Sequence, residues 1–135
     1  MKHLFILASL LSAGPLLVSP ALAQDTSPAQ LIAGYEAAAG AKADAARGRA
    51  LFLATQTGGK PDTPSCTTCH GADVTKPGQT RTGKAIDPLA ASATPGRFTD
   101  TAKVEKWLGR NCNSVIGRDC TPGEKADVLA WLSSQ

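Results

Sequence analysis

Apolar residues along the chain form one continuous run at its start and several shorter periodic groups after it. Leu4 to Leu11 is almost wholly apolar, and Leu16, Leu17 and Val18 extend the run past Gly14 and Pro15. Beyond it, the stretch from Asp25 to Gly40 opens with Ser27-Pro28, a capping residue followed by a first-turn proline, and continues Ala-rich through Ile32, Tyr35 and Ala38. This predicts a short helix ending near Gly40. From Ala43 to Thr55, the positions Ala46, Ala50, Leu51 and Leu53/Ala54 recur at helical spacing, with Gly48 and Phe52 on one face. Gly58 to Ser65 is turn-rich. Gly71 to Gly96 has little periodicity and much Gly, Pro, Thr and Lys, and reads as a long loop, a form uncommon in a small domain unless it serves a site. Thr99 or Asp100 then caps a helix predicted to run to about Leu108, with Val104, Trp107 and Leu108 on its inner face. Finally, Thr121-Pro122-Gly123-Glu124 is a capping box with proline at the first helical position. The helix it opens bears Val128, Leu129, Trp131 and Leu132.

The opening run changes the picture most. Lys2 and His3 give it a positive start, and Ala21-Leu22-Ala23 ends it with the small-x-small pattern of a signal-peptidase site. Gly14, Pro15 and Pro20 break it below the ~20 continuous apolar residues of a spanning helix. Met1–Ala23 is therefore expected to be a cleaved secretory signal, which makes the protein exported, with a periplasmic location. Residues 24–135 are left as one small domain with no transmembrane segment. Charge is nearly balanced, 14 Lys+Arg against 11 Asp+Glu over the whole chain, and no basic block suggests nucleic acid. Large aromatics after the signal are few: Tyr35, Phe52, Phe98, Trp107 and Trp131. A bound apolar cofactor would help so small a domain to build a core.

Cys66-Thr67-Thr68-Cys69-His70 supplies the candidate cofactor site. C-x-x-C-H is the signature of covalent c-type haem attachment. Two thiols three positions apart reach the two vinyl groups of one porphyrin, and the adjacent His70 lies under the iron as its proximal ligand. A thioredoxin-like C-x-x-C would sit in a strand-rich βαβ pattern, which is missing here. A zinc site would need further ligands, and His70 is the one His after signal cleavage. The expectation is one covalent haem c.

The far side of the iron is read by subtraction. After cleavage no Met remains, and no second His, so both usual strong distal ligands are gone. The loop Pro88-Leu89-Ala90-Ala91-Ser92 carries Leu89, which cannot ligate, where a cytochrome c would often carry its Met. Water, a Lys amine, Tyr35, a free Cys thiolate, Asn111 and Asn113 are the candidates that remain. Lys must first lose a proton. Asn111 falls just after the predicted helix, where it serves equally well as a left-handed helix terminus.

The stretches Arg97-Phe98-Thr99-Asp100, Lys103-Val104-Glu105-Lys106-Trp107, Arg110-Asn111-Cys112, Gly117-Arg118-Asp119-Cys120 and Thr121 to Trp131 resemble the oxygen-binding cytochrome c group called SHP. With C-x-x-C-H, the likeness covers most of residues 24–135. It implies an all-α, small mono-haem cytochrome c fold with an extra N-terminal helix and long haem-wrapping loops. In that fold the first and last helices cross through a Gly and aromatic contact, which Gly48, Phe52 and Trp131 can supply. It also implies that Asn111 is the distal ligand of the ferric iron and leaves on reduction, opening the position to O2, NO and similar ligands. Asn113 is left as a surface loop residue. An electron-donor cytochrome, of the di-haem c type associated with SHP-like proteins, is the implied partner.

Cys112 and Cys120, eight apart in an exported chain with no metal partners nearby, read as a disulfide. Electron transfer coupled to small-ligand binding is the expected function. Slow oxidase, peroxidase or reductase chemistry is the alternative; fast peroxidase chemistry wants a distal acid–base group, and Arg110 is the nearest candidate. For Trp107 and Phe98, packing in the core is expected, with shielding of the haem as the alternative role.

Overall fold

The computed structural model describes residues 25–135, so the expected signal peptide lies outside the described residues. Five helices and one minimal hairpin follow one another. They are α1 (Pro28–Ala39), α2 (Ala45–Leu53), α3 (Thr67–His70), β1 (Gly78–Gln79), β2 (Ala85–Ile86), α4 (Thr101–Val115) and α5 (Pro122–Ser133). Among the described residues no helix is long and apolar enough to cross a membrane.

Local chemistry sets the ends. Ser27 accepts from the Gln30 N–H to start α1, and Gly40 closes it in the left-handed region at φ 65°. Asp44 accepts from the Ala46 and Arg47 N–H groups at the start of α2. Asp100 accepts from the Lys103 N–H to start α4. Thr121 and Glu124 form the full reciprocal capping box of α5.

α5 is the centre of the packing, with α1 and α2 both laid closely along it. Gly48 is buried where α2 crosses α5, and a Cβ there would run into the Asp127 carbonyl. Four residues on, the Phe52 ring meets Trp131 at 5.0 Å between centroids, tilted by 59°. Gly48, Phe52 and Trp131 therefore make the expected helix crossing. Phe52 and Trp131 belong to a cluster with Val74, Ala90, Val128 and Leu132. A second cluster, Leu31, Val104 and Leu129, brings α1, α4 and α5 together and takes Leu108 against it. Beside the crossing, the buried Asp127 carboxylate accepts from the Asp44 N–H at 2.6 Å and from Arg47 Nε and Nη2 at 2.8 and 2.9 Å.

Three expectations need correction. The helix predicted to stop near Leu108 runs to Val115. Gly109 costs it about 1 kcal/mol relative to alanine, but the residues beyond are held from outside. Lys60 N–H donates to the Ser114 carbonyl at 2.7 Å, and Thr63 Oγ1 donates to it at 3.1 Å. Asn113 is accordingly on the helix rather than in a loop, donating from Nδ2 to the Gly109 carbonyl at 2.9 Å. Trp107 is not a core residue: it is 48% exposed, and Leu108 takes the inward position beside it. Phe98 does pack, touching both clusters, from an unusual left-handed backbone at φ 61°. The long loop contains the β1–β2 hairpin, paired antiparallel with Gly78 opposite Ile86.

Candidate haem-attachment cleft

C-x-x-C-H forms a single helical turn. The His70 N–H donates to the Cys66 carbonyl at 3.1 Å, and Gly71, at φ 70°, ends the turn. Buried Ser65 anchors it: its Oγ donates to the Phe52 carbonyl at 3.3 Å and accepts from the Thr67 N–H and hydroxyl at 3.2 and 2.9 Å. α3 is thereby tied to the end of α2, and the His70 ring stands 6.2 Å from that of Phe52. On the other side Gly78 lies against the Cys69 and His70 backbone so closely that a Cβ would collide.

Across from this turn stands the C-terminal half of α4. One cleft is lined on one wall by Thr63, Ser65, Cys66, Cys69 and His70, and on the other by Asn111, Ser114 and Val115. The walls are joined at their base. Gly58 and Gly59 press against the backbone of Ser114 to Ile116, and Gly117, at φ 82°, presses back on Gly58. In each case a Cβ would overlap a carbonyl, so glycine alone permits the approach. Cys112 and Cys120 are bonded to each other, Cα atoms 5.5 Å apart, immediately after Asn111.

Cys66 and Cys69 are free and partly buried. Burial pushes the Cys66 thiol up to about 11, so it stays protonated at neutral pH. Burial, reinforced by the nearby Arg97 guanidinium, holds His70 below its usual pKa. Its ring is therefore neutral and keeps a lone pair for a metal. His70 Nδ1 is buried with no hydrogen-bond partner among the described residues, a cost of about 1–3 kcal/mol. Such a cost is tolerable where the ring is placed for another purpose. The donor set in the cleft, two thiols, a neutral imidazole and a facing amide, fits a covalently attached haem.

Of the distal candidates, Asn111 faces this cleft. Tyr35 does not: its hydroxyl donates to the Glu105 carboxylate, which also accepts from Lys125 Nζ at 2.6 Å. Burial, then the Glu105 hydrogen bond, raises the phenol well above its usual pKa. Leu89 packs against the first hydrophobic cluster. Arg110 is exposed and lies over the Trp107 ring at 5.5 Å, outside the cleft lining. Thr63, Ser65, Ser114 and Val115 are the site residues that sequence reasoning missed. The last two lie three and four positions after Asn111, so extending the helix past Gly109 would have found them.

A family model described as a domain of unknown function, DUF1924, matches residues 38–132. Cytochrome c-type protein SHP of Cereibacter sphaeroides is 86% identical over 119 residues, covering 88% of this chain and 92% of that protein. The solved structure of oxidised SHP, described as an oxygen-binding cytochrome c, superposes with TM-score 0.81 at 87% identity, over 82% of this chain and 99% of that one. Cytochrome c'' of Methylophilus methylotrophus is 40% identical over 72 residues, 53% of this chain and 50% of that protein. Its oxidised crystal structure superposes with TM-score 0.64 at 30% identity, over 80% of this chain and 94% of that one. The helical frame is thus the small cytochrome c fold, and the chain belongs to the SHP family of c-type cytochromes, proteins with one covalently bound haem c.

Proposed function

We propose that this is an exported electron-transfer cytochrome whose distal position is held by Asn111 in the ferric state and opens on reduction to O2, NO or similar small molecules. The observation that carries the reading is the placement of Asn111 in one cleft with Cys66, Cys69 and His70. When bound, haem c supplies a one-electron iron couple and an iron with two axial positions. Cys66 and Cys69 hold it by thioether bonds, so retention does not depend on either axial ligand. Neutral His70 takes the proximal position.

Asn111 provides the other side through its amide oxygen. A neutral oxygen donor is hard, acceptable to ferric iron and poor for ferrous iron, so reduction favours its release. The freed amide stays beside the vacated position, where its N–H groups can donate to a small ligand entering the cleft. The Cys112–Cys120 link and the Lys60–Ser114 bond fix the backbone around Asn111, which confines its release to a side-chain motion. Two relatives support the reading: SHP is described as oxygen-binding, and a solution structure of cytochrome c'', at TM-score 0.68 and 30% identity, is described as giving insight into haem-ligand detachment. Electrons would come from a partner cytochrome, of the di-haem type that the family resemblance implies.

Optical spectra of the ferric and reduced holoprotein, before and after carbon monoxide, test the proposal. A high-spin ferrous spectrum that shifts with the gas is expected. The ferric spectrum of the Asn111→Ala protein should differ from that of the unaltered protein; an unchanged ferric spectrum would rule out ligation by Asn111.

A further inference from the structure

Trp107 is the one large apolar side chain counted as exposed among the described residues. It joins neither hydrophobic cluster. Its placement on α4 is nonetheless specific. At about 100° per residue, the direction of Trp107 falls between those of Asn111 and Ser114, about 40° from one and about 20° from the other. Those two residues line the haem cleft. Trp107 therefore continues the cleft-facing stripe of α4 upward, about 6 Å along the axis from Asn111.

The cleft is lined by the attachment thiols and the proposed axial residues, and a porphyrin ring reaches out from its iron by about the rise of one helical turn. In the direction of α4's N-terminus, the next side chain on the stripe is Trp107. Its ring is also braced, with Lys106 Nζ 5.7 Å and Arg110 Cζ 5.5 Å from its centroid. Both cations lie away from the cleft direction, Lys106 by about 100° and Arg110 by about 60° from Trp107.

We propose that Trp107 is a second distal residue: its indole lies against the haem on the Asn111 side and walls the ligand position, limiting entry to small molecules. This rests on the reading of Asn111 as the displaceable ligand. Asn111 decides when the position is open, and Trp107 decides what fits. A flat apolar wall beside the vacated position excludes water and leaves room for a diatomic but not for a branched ligand.

The test uses holoprotein, with carbon monoxide and tert-butyl isocyanide as the small and bulky probes. In the diamagnetic ferrous carbon monoxide form, the porphyrin ring current should displace the Trp107 indole protons strongly upfield. The chain has two Trp, so Trp107→Phe assigns the resonance by deleting it. Trp107→Ala should raise affinity for tert-butyl isocyanide by tenfold or more, about 1.4 kcal/mol, while carbon monoxide affinity changes severalfold less. Trp107→Phe should restore most of the size preference, a pattern that a merely structural role would not produce. Indole protons at undisplaced positions, or an unaltered preference in Trp107→Ala, would overturn this inference alone. A wild-type ferrous spectrum indifferent to carbon monoxide would overturn both readings, and it is read before any variant is made.

Discussion

The α2–α5 crossing and the α4 wall are built in opposite ways. At the crossing, backbone meets backbone: Gly48 leaves no space against Asp127, and Phe52 closes on Trp131. α4 makes no comparably close approach to another helix among the described residues. Its first half is held by Val104 and Leu108 against α1 and α5, and its second half by the glycine-mediated contact with residues 58–60 and by the Cys112–Cys120 link. The first arrangement leaves no room for anything else. The second keeps a helix in place by its ends and leaves Asn111, Ser114 and Val115 to face the cleft. Stability and reactivity are thus assigned to different contacts.

That contrast can be broken at its tight end. Gly48→Val forces a side chain into the Asp127 backbone and should cost about 3 kcal/mol. Urea denaturation of the holoprotein would measure it, and the folded fraction should keep its ferric spectrum. A loss below about 0.5 kcal/mol, the range of ordinary surface changes, would show that the crossing is not tight. At the other end, replacing both Cys112 and Cys120 by Ser opens a short loop and should cost roughly 2–3 kcal/mol. Here the ferric spectrum should move as well, toward a mixture with less of the proposed Asn111 ligation, because the freed segment adjoins Asn111. Equal stability loss with an unmoved spectrum would mean that the link staples the helix without positioning Asn111.

The smallest effect concerns the cap of α5. Glu124 is held down to about 2, chiefly by the Arg118 guanidinium, with the Thr121 N–H assisting. The folded state therefore binds this proton less readily than the unfolded chain, whose carboxyl lies near 4.5. The contribution is complete above pH 4.5 and is lost as pH falls toward 2. Glu124→Gln should cost about 1 kcal/mol near neutrality and flatten the acid limb of the stability curve. The cleft spectra should not respond.

The parts legible in the sequence were those fixed by near neighbours. Ser27-Pro28 and Thr121 to Glu124 announce helix starts because capping is settled within three residues. The C-x-x-C-H turn at 66–70 is local for the same reason, closed by the His70 N–H on the Cys66 carbonyl. The end of α4 was misjudged because Gly109 is a local signal against continuing, while the forces that carry the helix on come from Lys60 and Thr63, some fifty positions away. Ser65 was missed likewise: its partner is the Phe52 carbonyl, on an element that precedes it. Trp107 failed differently. An aromatic at helical spacing implies burial, and no part of the described polypeptide buries it.

The two walls of the cleft come from separate stretches of chain, residues 63–70 and 111–115. Under the proposed roles, the first stretch decides whether the cofactor is kept and the second what chemistry it performs. A single codon change at position 111 or 107 can then alter the axial partner or the admitted ligand without risking loss of the prosthetic group. Inheritance of the cofactor and divergence of its reactivity are uncoupled. A lineage built on this frame can trade a closed electron carrier for an open gas-binding centre in one step, and reverse it in another.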